Sequence, residues 1–224
     1  MIERDICANE LANIGDGFNQ TLDMLHRQEG GYLHRNRTEL DITTGYGIYK
    51  YANPRASIWD YIDEVARNCG EMRHSREWDA RTIALINKQI DPVIERYYTY
   101  LFYKDYFAVL NLNAIPAILI PLVTSIYCNA PKILIKGLQF GANKFNITRH
   151  GPTAKKLAID GVLGPGTRGA LENIYMNSTP EELLALKSYI IDGIKQGYRN
   201  LANANPPKYG RYLNGWLRRV NEFA

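Results

Sequence analysis

Glu29 closes a run of helical spacing and is followed at once by Gly30 and Gly31. A carboxyl at a helix C-terminus faces the negative end of the helix dipole, and in a dry setting both terms disfavour its ionisation. A glutamate kept protonated near neutral pH can protonate a glycosidic oxygen as the sugar–oxygen bond breaks. Two carboxyls about 5 Å apart would make the route retaining, and roughly 6.5 to 9.5 Å apart inverting. The sequence leaves both open. His26, one turn before Glu29 on the same face, is either a neighbour of the site or a packed side chain. A glutamate in a last helical turn is commonplace on protein surfaces, so position alone does not carry the assignment.

These residues need a frame. Residues 3–14 and 18–29 read as two helices separated by Gly15-Asp16-Gly17, the second with Phe18, Leu22 and Leu25 on one face. Gly30, just past the last helical residue, is the expected left-handed stop. Residues 32–50 lack helical period and carry β-branched and aromatic residues around Thr43-Thr44-Gly45-Tyr46-Gly47, which predicts a small irregular hairpin sheet. Helices resume at Ser57, where Ser57 and Asp60 have capping-box spacing, near Ser75, and at Asp91-Pro92, a cap followed by proline at the first helical position. Thr179-Pro180-Glu181-Glu182 is the strongest start signal in the chain. The expected fold class is therefore mainly α with a small β-hairpin insert near Glu29.

Other patterns are weaker. Gly164-Pro165-Gly166-Thr167-Arg168-Gly169 matches G-x-G-x-x-G, but a dinucleotide site needs a preceding buried strand, and the proline and the neighbouring Asp160-Gly161 argue for a structural loop. His26, His34, His74 and His150 show no paired metal-ligand spacing, so no metal site is expected. Tyr97, Tyr98, Tyr100, Tyr103 and Tyr106 sit among cations in a way that suggests base stacking, yet their spacing places them on two faces of one packed helix, and no nucleic-acid partner is expected. Phe107 to Cys128 is apolar enough to suggest a membrane span. Asn111 and Asn113 interrupt it and Pro116 and Pro121 break the ladder of any single helix. A buried helix of a soluble core is expected there, without stable membrane insertion.

The segment Glu29-Gly30-Gly31-Tyr32, Asp41, Thr43-Thr44-Gly45-Tyr46-Gly47-Ile48 resembles the catalytic segment of lysozyme-like muramidases, most of all glycoside hydrolase family 108; phage lysozymes of the T-x-G-Y-G kind are similar. Gly137-Leu138-Gln139 resembles that family's L-Q turn, Asp160 to Thr167 its D-G-x-x-G-P-x-T element, and Gly215-Trp216-Leu217-Arg218-Arg219 its closing G-W-x-x-R. The likeness implies a lysozyme-like helical fold, with a catalytic segment over 1–105 and a peptidoglycan-binding-like helical segment over 106–224, sharing one core. It implies hydrolysis of the β-1,4 bond between N-acetylmuramic acid and N-acetylglucosamine, with Glu29 as general acid and no cofactor. Asp41 joins it at the catalytic centre as the second carboxylate, to steady positive charge on the sugar or to orient a water, with Glu39 as the alternative and Thr43 or Thr44 as further candidates to hold that water; Tyr32, Thr43, Thr44, Tyr46 and Asn129 shape the glycan groove. The sequence departs from the family between Leu33 and Asp41, where a D-P-G-G stretch is replaced, and in the middle, where of D-x-x-x-N-x-G only Asn129 is kept. Lytic transglycosylase action needs one glutamate alone and is the alternative reaction; a non-catalytic wall-binding or phage structural protein is the alternative class.

Composition sets outer bounds. The chain has 224 residues, 46% apolar and 22% charged, enough to bury a core and too apolar for disorder. Its 16 tyrosines offer flat amphipathic faces suited to sugars. The net charge of +4 is local, because seven cations and two anions fall between Lys187 and Ala224. A basic end favours an anionic partner such as an acidic wall polymer. Cys7, Cys69 and Cys128 form no pattern of disulfide or zinc type and fit a reducing cytoplasm. The first residues lack an apolar signal core. The expectation is a monomer made in the bacterial cytoplasm, acting on peptidoglycan after release through a holin or a contact-dependent machine.

Overall fold

The computed structural model describes residues 3–29, 33–35 and 40–224, with the side chain of Glu29 outside that set. The protein is mainly helical and divides into two compact units, residues 1–113 and 114–224.

The first unit starts with α1 (Arg4–Asn13) and α2 (Asp16–Glu29). The break between them is enforced by packing. Gly15 has φ +82°, and a Cβ there would lie 2.6 Å from the Asn113 side chain; one at Gly17 would lie 2.4 Å from the Leu112 carbonyl oxygen. Gly17 admits no side chain without moving backbone, and at Gly15 the left-handed φ disfavours one whatever the space. Next come α3 (Ile58–Asn68), a 3-10 turn at Ser75–Glu77, α4 (Ala80–Asn87) and α5 (Pro92–Ala108). The core gathers Ile42 and Ile48 from the irregular segment, Ile58, Trp59 and Ile62 from α3, and Ile83, Ile86 and Ile94 from α4 and α5. Trp59 and Ile62 are buried almost completely. Each side chain of that size contributes about 1.5–3 kcal/mol by leaving water.

Asp91 caps α5 as its sequence predicts, Oδ1 accepting from the Val93 and Ile94 N–H groups at 2.8 and 3.3 Å, with Pro92 following. The Ser57 cap is not formed: α3 starts there without a side-chain cap. The helix expected near Ser75 is a short 3-10 turn, and α4 starts at Ala80 under an Asp79 cap that bonds the Thr82 N–H at 2.7 Å.

The predicted β-hairpin insert is not present. Among the described residues there is no sheet, only two isolated bridges that pair Thr43 with His34 and with Tyr49. The reason is local. The Thr44 hydroxyl accepts the Tyr46 and Ile48 N–H groups, each at 3.2 Å, and so removes donors that a ladder would need.

The second unit holds α6 (Ile120–Asn129), α7 (Pro131–His150), α8 (Pro165–Met176), α9 (Pro180–Ala204), α10 (Pro206–Tyr209) and α11 (Leu213–Asn221). The apolar stretch 107–128 is not one buried helix: it spans the end of α5, a 3-10 turn at Leu112–Ala114 and α6, with Pro121 in the first turn of α6, where its missing N–H costs nothing. No helix among the described residues is long and apolar enough to cross a membrane. The backbones of α7 and α9 approach closely through glycine. A Cβ at Gly141 would lie 2.5 Å from Ile190 Cγ1 and 3.0 Å from the Ile190 nitrogen. Thr179 forms the expected capping box, with the Glu182 N–H on its hydroxyl at 3.3 Å and its own N–H on Glu182 Oε2 at 2.9 Å.

Candidate active site

The backbone of α2 ends at Glu29, where the sequence places the general acid. Tyr32 and the alternative acid Glu39 lie outside the described residues. α2 is held along its length by α5. The Phe18 ring meets Tyr100 and Phe107 edge-on at 5.2 and 5.9 Å, and Arg96 pairs with Asp23 at 2.6 Å while donating to the Asn19 carbonyl and side-chain oxygens.

Asp41 is buried and fully engaged. Its Oδ1 accepts from the Ile42 N–H at 2.9 Å and from the Ser75 hydroxyl at 2.7 Å, and its Oδ2 lies 3.5 Å from the Arg76 Nε. Arg35 grips the same turn, donating to the Arg76 and Ser75 carbonyl oxygens. The two side chains together fasten the irregular segment to the Ser75–Glu77 turn, a role for Arg35 that nothing in its local sequence announces. Beside that turn opens a cleft of about 380 Å³ whose lining includes Lys50, Asp63, Arg67, Glu71, Arg73 and Trp78. Lys50 pairs with Asp63 at 2.6 Å and lies over the Trp59 and Trp78 rings. Hydrogen bonds from Arg73 hold the Glu71 carboxyl down to about 2.

Thr44 has no exposed surface. With two N–H groups on its hydroxyl, its N–H on the Ile48 carbonyl at 3.0 Å and its carbonyl taking the Gly47 N–H at 3.0 Å, it builds the turn from both ends. Gly47 completes that turn at φ +81°. Thr43 is buried and exchanges backbone bonds with His34 at 2.8 and 2.9 Å. Tyr46 is buried with its ring 4.9 Å from the half-buried His26 ring. Burial, with the nearby Glu95 carboxyl, pushes its hydroxyl up to about 12, opposed by the Arg96 guanidinium. The structure thus brings His26, Thr43, Thr44 and Tyr46 into one neighbourhood around α2 and α5. Asn129 belongs to the second unit, where its Nδ2 donates to the Ser125 carbonyl at 2.8 Å.

Sequence reasoning passed over Glu95. It is 1% exposed, on the buried face of α5 with Ile94, Thr99 and Phe107. Burial pushes its carboxyl up to about 7, offset in part by the nearby Gly45 N–H. Its Oε1 is buried without a hydrogen-bond partner, and so is the Thr99 Oγ1 one turn on. The available signal was periodic: Glu95 falls one turn before Thr99 on a stripe that the apolar residues of α5 mark as inward.

Two of the three motifs picked out in the second unit, Gly137-Leu138-Gln139 and Asp160 to Thr167, meet at Gln139. This buried side chain donates from Nε2 to Asp160 Oδ1 at 2.7 Å, the Val162 carbonyl at 3.1 Å and Thr167 Oγ1 at 3.2 Å, and its Oε1 accepts the Gly161 N–H at 3.0 Å. Gly161 has φ +80° and packs on Lys132. The G-x-G-x-x-G pattern is a helix start: Gly164 is the N-cap residue of α8 and Pro165 its first residue, with no strand before it among the described residues. No group of three or more His, Cys, Asp or Glu among the described residues is placed to hold a metal ion. Comparison with protein-family models, curated proteins and solved structures finds no match.

Proposed function

We propose that the protein is a peptidoglycan-degrading enzyme that cleaves the β-1,4 bond between N-acetylmuramic acid and N-acetylglucosamine, with Glu29 as the proton donor. The observation that carries this reading is the end of α2 at Glu29, directly before Gly30-Gly31-Tyr32 in the sequence and joined through α5 to the Thr44–Gly47 turn. A carboxyl there feels the negative end of the helix dipole, which favours the protonated form that a general acid requires. Tyr32, three positions after Glu29 in the sequence, is the candidate aromatic contact for the sugar, and Asn129 is a candidate glycan contact on the second unit by itself. Release past the inner membrane would use a holin-type pore or a contact-dependent machine. The test is clearing of purified sacculi by wild type and Glu29→Gln side by side. Wild type clears the suspension, and the variant is slower by roughly a hundredfold or more with an unchanged melting temperature. Equal rates would falsify the assignment.

A second reaction on the same scaffold has its own support. Both Asp41 oxygens are engaged by protein groups and Thr44 is closed to solvent, which argues against either as the second catalytic group. Lytic transglycosylase action needs one carboxyl alone. Mass spectrometry of released muropeptides separates the two: 1,6-anhydro ends mark transglycosylation and reducing ends mark hydrolysis.

A further inference from the structure

Tyr61, Val65, Asn68 and Cys69 fall at i, i+4, i+7 and i+8 along α3 and its cap, which places them on one face of that helix. Leu85 and Gln89 come up from the end of α4 and the residues after it, and Ile94 and Asp91 from the start of α5 and its cap; together they enclose a pocket of about 560 Å³. Sites that take small molecules span roughly 300–1,000 Å³. None of the lining residues belongs to α2 or to the Thr44–Gly47 turn. The floor is fixed: Tyr61, Val65 and Ile94 are buried, and the Tyr61 ring is backed by Tyr98, stacked on it at 5.8 Å.

The hydrogen-bonding groups of the rim are not spent. The side-chain amides of Asn68 and Gln89 have no partner among the described residues. The Tyr61 hydroxyl accepts the Asp91 N–H at 2.6 Å and keeps its own proton to donate. Asp91 is the one charged residue of the lining, and its carboxylate is already engaged, Oδ1 by the Val93 and Ile94 N–H groups and Oδ2 by the Arg4 Nε at 3.0 Å. The occupant that fits is therefore uncharged, with a small apolar patch and several neutral donors and acceptors. A wholly apolar molecule would shield two amides and a hydroxyl from water without pairing them, and an anion would meet the Asp91 carboxylate. The cleft beside Ser75 is opposite in character, lined by Lys50, Asp63, Arg67, Glu71 and Arg73.

We propose that this pocket is a non-catalytic binding site for a neutral N-acetylamino sugar unit, with the acetyl methyl against Val65, Leu85 and Ile94 and the sugar amide and hydroxyls bonded to Asn68, Gln89 and the Tyr61 hydroxyl. That the sugar is part of a murein glycan rests on the muramidase reading; the shape and neutral rim of the pocket do not.

Cys69 lines the pocket and reports on it, with Cys7, which has no exposed surface, and Cys128, which belongs to the second unit, as references. Full-length Glu29→Gln protein, in which the proposed cleavage is blocked, is treated with iodoacetamide at increasing concentrations of tri-N-acetylchitotriose, and alkylation of each cysteine is timed by peptide mass spectrometry. The sugar is expected to slow Cys69 about tenfold at saturation and to leave Cys128 unchanged. Maltotriose, which lacks the acetamido groups, leaves Cys69 unprotected. Asn68→Ala combined with Gln89→Ala raises the sugar concentration for half protection about tenfold, with an unchanged melting temperature. An unprotected Cys69, equal protection by maltotriose, or protection indifferent to the double substitution overturns the proposal. Clearing of sacculi by wild type is read in parallel. Clearing without protection removes the pocket as a sugar site and leaves the muramidase reading standing; protection without clearing does the reverse, so the two failures are told apart.

Discussion

Two loops of this protein are organised by one buried polar side chain each, and they are closed to different degrees. In the second unit Gln139 takes up the side chain of Asp160, the Gly161 N–H, the Val162 carbonyl and the Thr167 hydroxyl, and every polar atom of its amide has a partner. In the first unit Thr44 closes the turn above, while Glu95 below it leaves one carboxyl oxygen unmet. A neutral amide with all its bonds made fixes a shape across neutral pH, where its partner Asp160 stays ionised. A buried acid with a bond missing makes a shape conditional on a proton. The two glycine-bearing turns therefore differ in how fully the buried polar side chains around them are satisfied.

The comparison breaks most easily at Gln139. Gln139→Ala removes the whole set of bonds and leaves a cavity, and is expected to cost about 4 kcal/mol in urea unfolding, with lost protection of the Gly161 amide in hydrogen exchange. Equal protection in the variant would mean that the loop is held by something else.

Glu95→Gln sharpens the contrast through pH. The wild-type carboxyl is raised from 4.5 to about 7, so the folded state binds its proton more tightly than the unfolded chain does. The stability it contributes is complete below pH 4.5 and is lost as pH rises through 7. An amide stays neutral throughout. Relative to wild type the variant is expected to be about 3 kcal/mol more stable at pH 8 and unchanged at pH 4, read by denaturant unfolding at the two pH values. The difference between Gln139→Ala and wild type carries no such change between pH 5 and 8, because the Asp160 that Gln139 holds is lowered and stays ionised there.

The smallest effect is at Thr44. Thr44→Val keeps the shape and removes the acceptor of two N–H groups, for a loss of about 2 kcal/mol that does not vary between pH 5 and 9. A pH-dependent loss would mean that the Thr44 hydroxyl is coupled to a titrating neighbour.

How far the sequence could be read follows the range of the forces involved. Thr179 and Asp91 reach N–H groups within three residues, so their caps were legible from spacing alone. Ser57 has the same type of spacing and no cap, because a capping box also needs extended backbone at the cap residue, and Ser57 is helical at φ −60° and ψ −19°. The hairpin failed for a related reason. β-Branched and aromatic residues mark a chain fit for a sheet, but whether N–H groups go to a neighbouring strand or to a threonine hydroxyl four residues back is decided by the turn.

What the residue order determined by itself is the helical class, the end of α2 at Glu29 and the starts of α5 and α9, since each depends on spacing within about one helical turn. Only the tertiary structure decided that Asp41 is held by Ser75, 34 positions away, that Gln139 gathers a loop 21 to 28 positions on, and that Glu95 faces inward under Gly45. Burial and long-range hydrogen bonds depend on what the rest of the chain brings up against a side chain, and that is a property of the packed core rather than of any short stretch of residues.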